Sequence, residues 1–135
     1  MDVLNQLAKS INKNVSELPT KLLLGYVDKD KPLSLYAQPG SKILEEDYDG
    51  NQEKLLPFEI AFKTQDLAKG NAVMYAISTY LDNLDHLDTD GSYTVQSLDI
   101  DPQPFLTTID VADNGLFLLD FSLTIYTQKT TRSFK

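Results

Sequence analysis

Apolar positions along the chain fall into two spacings. Near the N-terminus Val3, Leu4, Leu7 and Ile11 recur at helical intervals behind Asp2, a residue suited to capping a first helix. The segment is short, so packing rather than propensity must hold it. "NKNVSELP" ends it. "KLLLGYV" is a short apolar run that reads as a buried strand, "DKDKP" as a turn, and "LSLYA" as the alternating strand that returns. "QPGS" is a Pro-Gly turn. "KILEED" and "EKLLPFEIAFKT" then flank an Asp49-Gly50 turn. In the second of these arms Phe58, Ile60 and Phe62 share one face, while Glu59, Ala61 and Lys63 share the other. Pro57 predicts an edge or a bulge at the base of the arm.

Asp66 is the best N-cap for a long helix running to about Leu84. Leu67, Met74, Ile77, Leu81 and Leu84 make its buried stripe, with Val73 and Tyr80 beside it. Gly70 costs about 1 kcal/mol relative to alanine in a helix interior, which points to close packing against a sheet. "DHLDTDG" is a loop. Three strands follow: "SYTVQSLDI"; "PFLTTIDVA", with Phe105, Thr107, Ile109 and Val111 in phase; and "LFLLDFSLTIYTQ", with Phe117, Leu119, Phe121, Leu123 and Ile125 in phase. Asn114-Gly115 predicts a type I′ hairpin turn between the last two. The last strand is apolar on both faces where Leu116 and Leu118 oppose Phe117 and Leu119. Either the fold covers both faces or a neighbouring subunit meets one. No repeat, linker or low-complexity tract is evident.

The order is helix, four short strands, helix, three strands. It predicts an α+β fold: a mostly antiparallel sheet packed against one long and one short helix. The length predicts one domain over residues 1–135. Residues 1–19 form the N-terminal helix and its connection, 20–128 the core, and 129–135 a polar, basic tail.

Composition narrows the function. There is no cysteine, so disulfides and thiolate chemistry are excluded and a reducing compartment fits. No secretory signal and no membrane-length apolar run are present. The net charge is −8, unevenly spread. Residues 45–120 hold 16 acids and 3 lysines; residues 121–135 hold only Lys129, Arg132 and Lys135. An acidic body argues against gripping nucleic acid through a basic face. The basic tail is either solvated or docks on a neighbour's acidic body.

Candidate chemistry is sparse. His86 is the sole histidine, so a Cys/His zinc site is impossible. "HLDTDG" resembles a calcium loop only superficially, because His86 and Ser97 stand where the first and twelfth ligands belong. Glu45-Glu46 is a carboxylate pair without a partner nucleophile. There is no G-x-S-x-G and no phosphate-binding glycine loop, and the one arginine is Arg132. No residue set carries catalysis, and no cofactor is implied. Seven tyrosines suit either sheet positions or an assembly surface. One feature stands out: Glu45, Glu46, Asp47, Asp49 and Glu53 crowd one hairpin tip. The plain reading is that they keep an exposed hairpin from pairing edge to edge.

Three stretches carry a resemblance: "LSLYAQPGSKILEEDYDGNQEKLLPFEIAFKTQD", "LAKGNAVMYAISTYLDNLDHL" and "GSYTVQSLDIDPQPFLTTIDVADNGLFLLDFSLTIYT". Over residues 20–128 the chain resembles small proteins of long-tailed phages of Gram-positive bacteria, usually called minor capsid proteins and similar to tail terminators. Its marks are the Pro-Gly-Ser before the acidic arm, the Pro-Phe at Pro57-Phe58, and the Pro-Phe at Pro104-Phe105. The resemblance implies a virion structural protein, not an enzyme, made in the host cytoplasm and placed in the tail or neck. It would form a ring, commonly a hexamer, at the head-proximal end of the tail tube, stop tube polymerisation and present a surface to the head. Implied partners are other copies of the chain, the major tail tube protein and a head connector or stopper protein. DNA would pass through without specific binding, and no membrane is involved. Glu45, Glu46, Asp47 and Asp49 would then face the lumen or the tube, and Lys129, Arg132 and Lys135 a neighbouring subunit. The alternatives are a head-completion or neck protein, or a small acidic inhibitor or immunity-type binding protein.

Overall fold

In the computed structural model the described residues are 2–28, 31–87, 89, 91–100, 104–110 and 112–128. They form helices α1 (Val3–Asn14) and α2 (Leu67–Asp82), with strands β1 (Leu23–Leu24), β2 (Leu33–Ala37), β3 (Lys42–Glu46), β4 (Gln52–Thr64), β5 (Tyr93–Ile100), β6 (Phe105–Ile109) and β7 (Gly115–Thr127). The predicted α+β class holds: two helices pack on one mixed, mostly antiparallel sheet.

The sheet is organised by its two longest strands. β4 and β7 pair antiparallel over their whole length, from Gln52 opposite Thr127 to Thr64 opposite Gly115. Strict alternation gives each strand one apolar face. Phe58, Ile60 and Phe62 of β4 meet Phe117, Leu119, Phe121, Leu123 and Ile125 of β7, all at most 4% exposed. On this face lie α1, through Leu7 and Ile11, and α2, through Val73, Met74, Ile77 and Leu81. Ser10 bonds Tyr80 between the helices. Asn12 holds the chain after α1 by bonding both the amide and the carbonyl of Leu22, at 2.8 and 3.0 Å.

Each long strand carries two short ones on its outer edge. β2 and β3 share the edge of β4, and β5 and β6 share that of β7. Pro57 sits in the gap between β2 and β3. Its carbonyl accepts from the Gln38 amide at 3.0 Å, so its nitrogen faces the same gap, where no ladder donor is needed. The expected edge at Pro57 is therefore a local edge within a central strand.

The sequence showed no repeat, but the structure has one. The hairpin β3–β4 and the hairpin β6–β7 have the same plan, with each boundary displaced by 63 positions (42 to 105, 52 to 115, 64 to 127). Both short strands have a register shift at the same place, between Ile43 and Glu45 and between Leu106 and Thr108. β2 on β4 and β5 on β7 share one register: Ser34 opposite Ala61 corresponds to Ser97 opposite Thr124. α1 and α2 precede the two halves. The halves meet across β4 and β7 about a pseudo-two-fold axis at Phe58 and Phe121, whose rings lie 5.6 Å apart. Identical residues at matched positions are few, among them Asp47 and Asp110, Asn51 and Asn114, and Phe58 and Phe121. That is why the repeat escapes a linear reading.

Four further expectations are corrected. Asp2 occupies the N-cap position of α1 without a side-chain cap bond; its carboxylate instead accepts from Gln6 at 2.8 Å and from the Tyr93 hydroxyl at 3.0 Å. β1 runs parallel, not antiparallel, to β2. Gly25, with φ of +113°, breaks the strand, and its amide bonds the Leu35 carbonyl at 3.0 Å. The bulge in β6 puts Phe105 and Thr108 on one face and Leu106 and Ile109 on the other, so Phe105, Thr107 and Ile109 are not in phase; Val111 lies outside the described residues. The Asn114-Gly115 turn is absent. Instead the Asp110 amide bonds the Asn114 carbonyl at 3.0 Å, Asp113 takes φ +62°, and Gly115 already belongs to β7.

Gly70 packs as its position predicted: a Cβ there would come within 2.3 Å of the Phe117 ring. Gly70→Ala should destabilise the protein by roughly 1–3 kcal/mol through overpacking, despite alanine's better helix propensity. Adding Phe117→Leu should recover part of that loss. Urea denaturation of the two variants checks both outcomes.

Candidate interaction surface

The sheet face opposite the helices has no described element packed across it, and its register arranges the side chains in rows. One row joins Glu45, Glu53, Tyr126 and Thr94; a second Lys42, Leu55, Thr124 and Ser97; a third Pro57, Ser122 and Asp99; a fourth Tyr36, Glu59 and Asp120; a fifth Ser34, Ala61, Leu118 and Phe105. Acids thus dominate this open face: Glu45, Glu53, Glu59, Asp99 and Asp120. Lys63 on the same face bonds Asp110 at 3.1 Å. Leu116 and Leu118 are half-buried here, so the second apolar stripe of β7 is only partly covered within the fold.

The acidic arm projects from one edge of this sheet. All five residues of β3 are exposed, the apolar Ile43 and Leu44 among them. Tyr48 at the tip is fully exposed. Glu45 stands directly opposite Glu53, a like-charge pair that costs the hairpin stability. Neither has an ion-pair partner among the described residues. Glu46 accepts from the Gln52 side chain at 2.7 Å.

Asp47 differs from its neighbours. Its carboxylate accepts from the Asn51 side chain at 3.0 Å and from the Asp49 and Asn51 amides, each at 2.9 Å. These bonds, that from the Asn51 side chain foremost, hold it below the usual carboxylate range. Gly50, at φ +84°, completes the turn. Asp110 closes the other hairpin in the same way. It accepts from the Ala112 and Asn114 amides at 2.9 Å each. The Asn114 amide first, then Lys63, lowers it to about 2. The shared signature is an Asp followed four residues later by Asn, with a left-handed residue between. The signal lies in "DYDGN" and "DVADN"; alternation assigns "DVA" of the second to a strand, which hides the match.

Of the residues singled out from sequence, Glu45, Glu46, Asp47 and Asp49 therefore come together at one exposed tip, with Asp47 committed to shaping it. Lys129, Arg132 and Lys135 lie outside the described residues. The row Tyr36, Glu59, Asp120 was not foreseen, because only the register brings three strands together. Glu59 is 8% exposed and accepts from the Tyr36 hydroxyl and, at 3.2 Å, from Gln38. Burial first, then Glu59, raises the Tyr36 hydroxyl above its ordinary value.

A cavity of about 220 Å³ lies between β5 and the loop after α2, lined by His86, Leu87, Tyr93 and Leu98 among others. Among the described residues no three His, Asp or Glu side chains are grouped to hold a metal, and no helix is long and apolar enough to cross a membrane.

The described parts form a sheet with an open acidic face and two exposed arms. A model of the bacteriophage tail terminator protein family matches residues 10–129, and the chain belongs to that family. Its role is that of a structural protein of a phage tail. Among solved structures, a chain of the virion of a native gene transfer agent particle aligns with a TM-score of 0.62 and 13% identity, over 91% of each chain. That likeness establishes the shared fold. No curated protein matches the chain at a significant level.

Asp110 supplies a pH test. Its depressed titration means that its contribution to stability is present above the ordinary carboxylate range and is lost as pH falls through about 2. Asp110→Asn should melt below the wild type at neutral pH, with the difference closing as pH falls toward about 2. Thermal melts across an acid pH series check this.

Proposed function

We propose that this protein is the tail terminator of a long-tailed phage, and that copies of it close into a hexameric ring at the head-proximal end of the tail tube. The ring stops tube polymerisation and offers its other face to a head connector or stopper protein. The single observation that carries the reading is the family match across residues 10–129. The sequence resemblance adds a Gram-positive host. No catalysis is needed for any of these tasks.

The acidic arm fits this role. DNA must pass through such a ring without adhering, and acids along its path repel phosphate. At the tube they would set partner choice and encounter rate. The internal repeat supplies a control for the plainer explanation, protection of an exposed edge. β6 is the counterpart of β3, equally exposed along its five residues and with an equally open edge. Yet "FLTTI" carries no charge. Edge protection does not account for acids along β3 and none along β6. The shared Asp47 and Asp110 belong to the turn, whereas Glu45, Glu46, Asp49 and Glu53 have no acidic counterparts. These four support an assignment to the lumen or the tube contact.

The triple variant Glu45→Gln, Glu46→Gln, Asp49→Asn keeps Asp47 and hence the turn. It should fold and melt like the wild type but reduce the yield of joined, infectious particles in a complementation assay. Normal particle yield from this variant would remove the arm's charge from the account. Normal yield from a phage lacking the protein altogether would remove the terminator reading itself.

A further inference from the structure

We propose that Glu59 and Asp120, opposed across the two central strands on the open face of the sheet, hold one proton between them and form a pH-sensitive clasp at the middle of the fold. The inference does not depend on the terminator reading.

The two carboxyl groups are direct cross-strand partners on β4 and β7. Like charges so placed repel, and with Glu59 only 8% exposed, water screens them poorly. The donors are unequally shared. Glu59 receives the Tyr36 hydroxyl on Oε1 and the Gln38 amide on Oε2. Asp120 receives neither, and its Oδ1 is buried without a hydrogen-bond partner. A carboxylate has no proton to donate, so a hydrogen bond between the two groups requires one of them to be protonated. The arrangement puts the proton on Asp120, whose O–H then donates to Glu59. Burial, followed by the bond to Glu59 and its charge, pushes Asp120 up to about 7.

Among the described residues no neighbouring cation replaces the proton. Tyr36 faces the pair from β2, with the Tyr26 ring 4.8 Å from its own. On β5 the nearest ionisable group is Asp99, one row along opposite Ser122, and it adds negative charge. β6 contributes Phe105, opposite Leu118. Lys63 lies two rows away on β4 and is bound to Asp110. Both helices lie behind the sheet. The repeat again gives a control: the pseudo-symmetric counterpart of this pair is Ser122 opposite Pro57, which is uncharged. The frame does not require acids at this position.

The sign follows from linkage. Unfolded, Asp120 titrates in the ordinary carboxylate range; folded, it keeps its proton up to about 7. Folding therefore takes up a proton between those limits, and the clasp's contribution falls as pH rises through that window. Carbon-detected NMR titration of the full-length chain should place the Asp120 side-chain midpoint near neutrality, and Glu59→Gln should move it back toward the ordinary range. Thermal melts of the wild type should fall between about pH 5 and about pH 8.5. Asp120→Asn, which can donate to Glu59 at any pH, should flatten that fall and melt higher than the wild type at the alkaline end. A wild-type midpoint in the ordinary carboxylate range would overturn the proposal, as would an unchanged pH slope in Asp120→Asn.

Discussion

The fold depends on one ladder. β4 and β7 pair over thirteen residues each, and every other strand except β1 hangs directly on one of them. Their inward faces supply Phe58, Ile60, Phe62, Phe117, Leu119, Phe121, Leu123 and Ile125, the surface against which both helices close. Because side chains alternate with a period of two, a slip of one residue would turn this whole set toward the open face. The register is therefore fixed by burial, and it also sets the open face. The same pairing that joins Phe58 to Phe121 puts Glu59 beside Asp120 and Glu53 beside Tyr126.

Much of this was legible along the chain, because alternation is a local signal. β2, β4 and β7 stand out through residues such as Phe58, Ile60 and Phe62, and α2 through Asp66, which caps Lys69 at 3.0 Å. What escaped depends on partners distant in sequence. Bulges at Ile43/Glu45 and Leu106/Thr108 arise in pairing with β4 and β7, so phase within "FLTTI" could not show them. Gly115 suggested a turn glycine; its real constraint is steric, since a Cβ there would meet Leu67 at 2.5 Å. The repeat was hidden because matched positions share apolar character more often than identity. The acidic tip was legible as composition, but the division of labour inside it, with Asp47 shaping the turn and its neighbours left to solvent, needed the hydrogen bonds.

The repeat also gives a way to separate scaffold from function. Features common to both halves are what the fold requires: a helix, an outer strand, a bulged short strand, an Asp-to-Asn turn and a long strand. Features without a counterpart under the repeat are unexplained by that requirement. The acids of the first arm, the Tyr36–Glu59–Asp120 row and the apolar, uncharged surface of β6 are all of this kind. In a ring of identical subunits, head-to-tail contacts join two different surfaces of the same chain. Two arms alike in frame and unlike in surface, on opposite edges of the sheet, suit that geometry.

The central claim is that copies of this chain close on the end of a tail tube. Light scattering behind size exclusion, over a concentration series and with or without purified tail tubes, tests it most directly. The account predicts a mass near six chains, either alone or bound at tube ends once tubes are added. A strict monomer at every concentration that ignores tubes would contradict it.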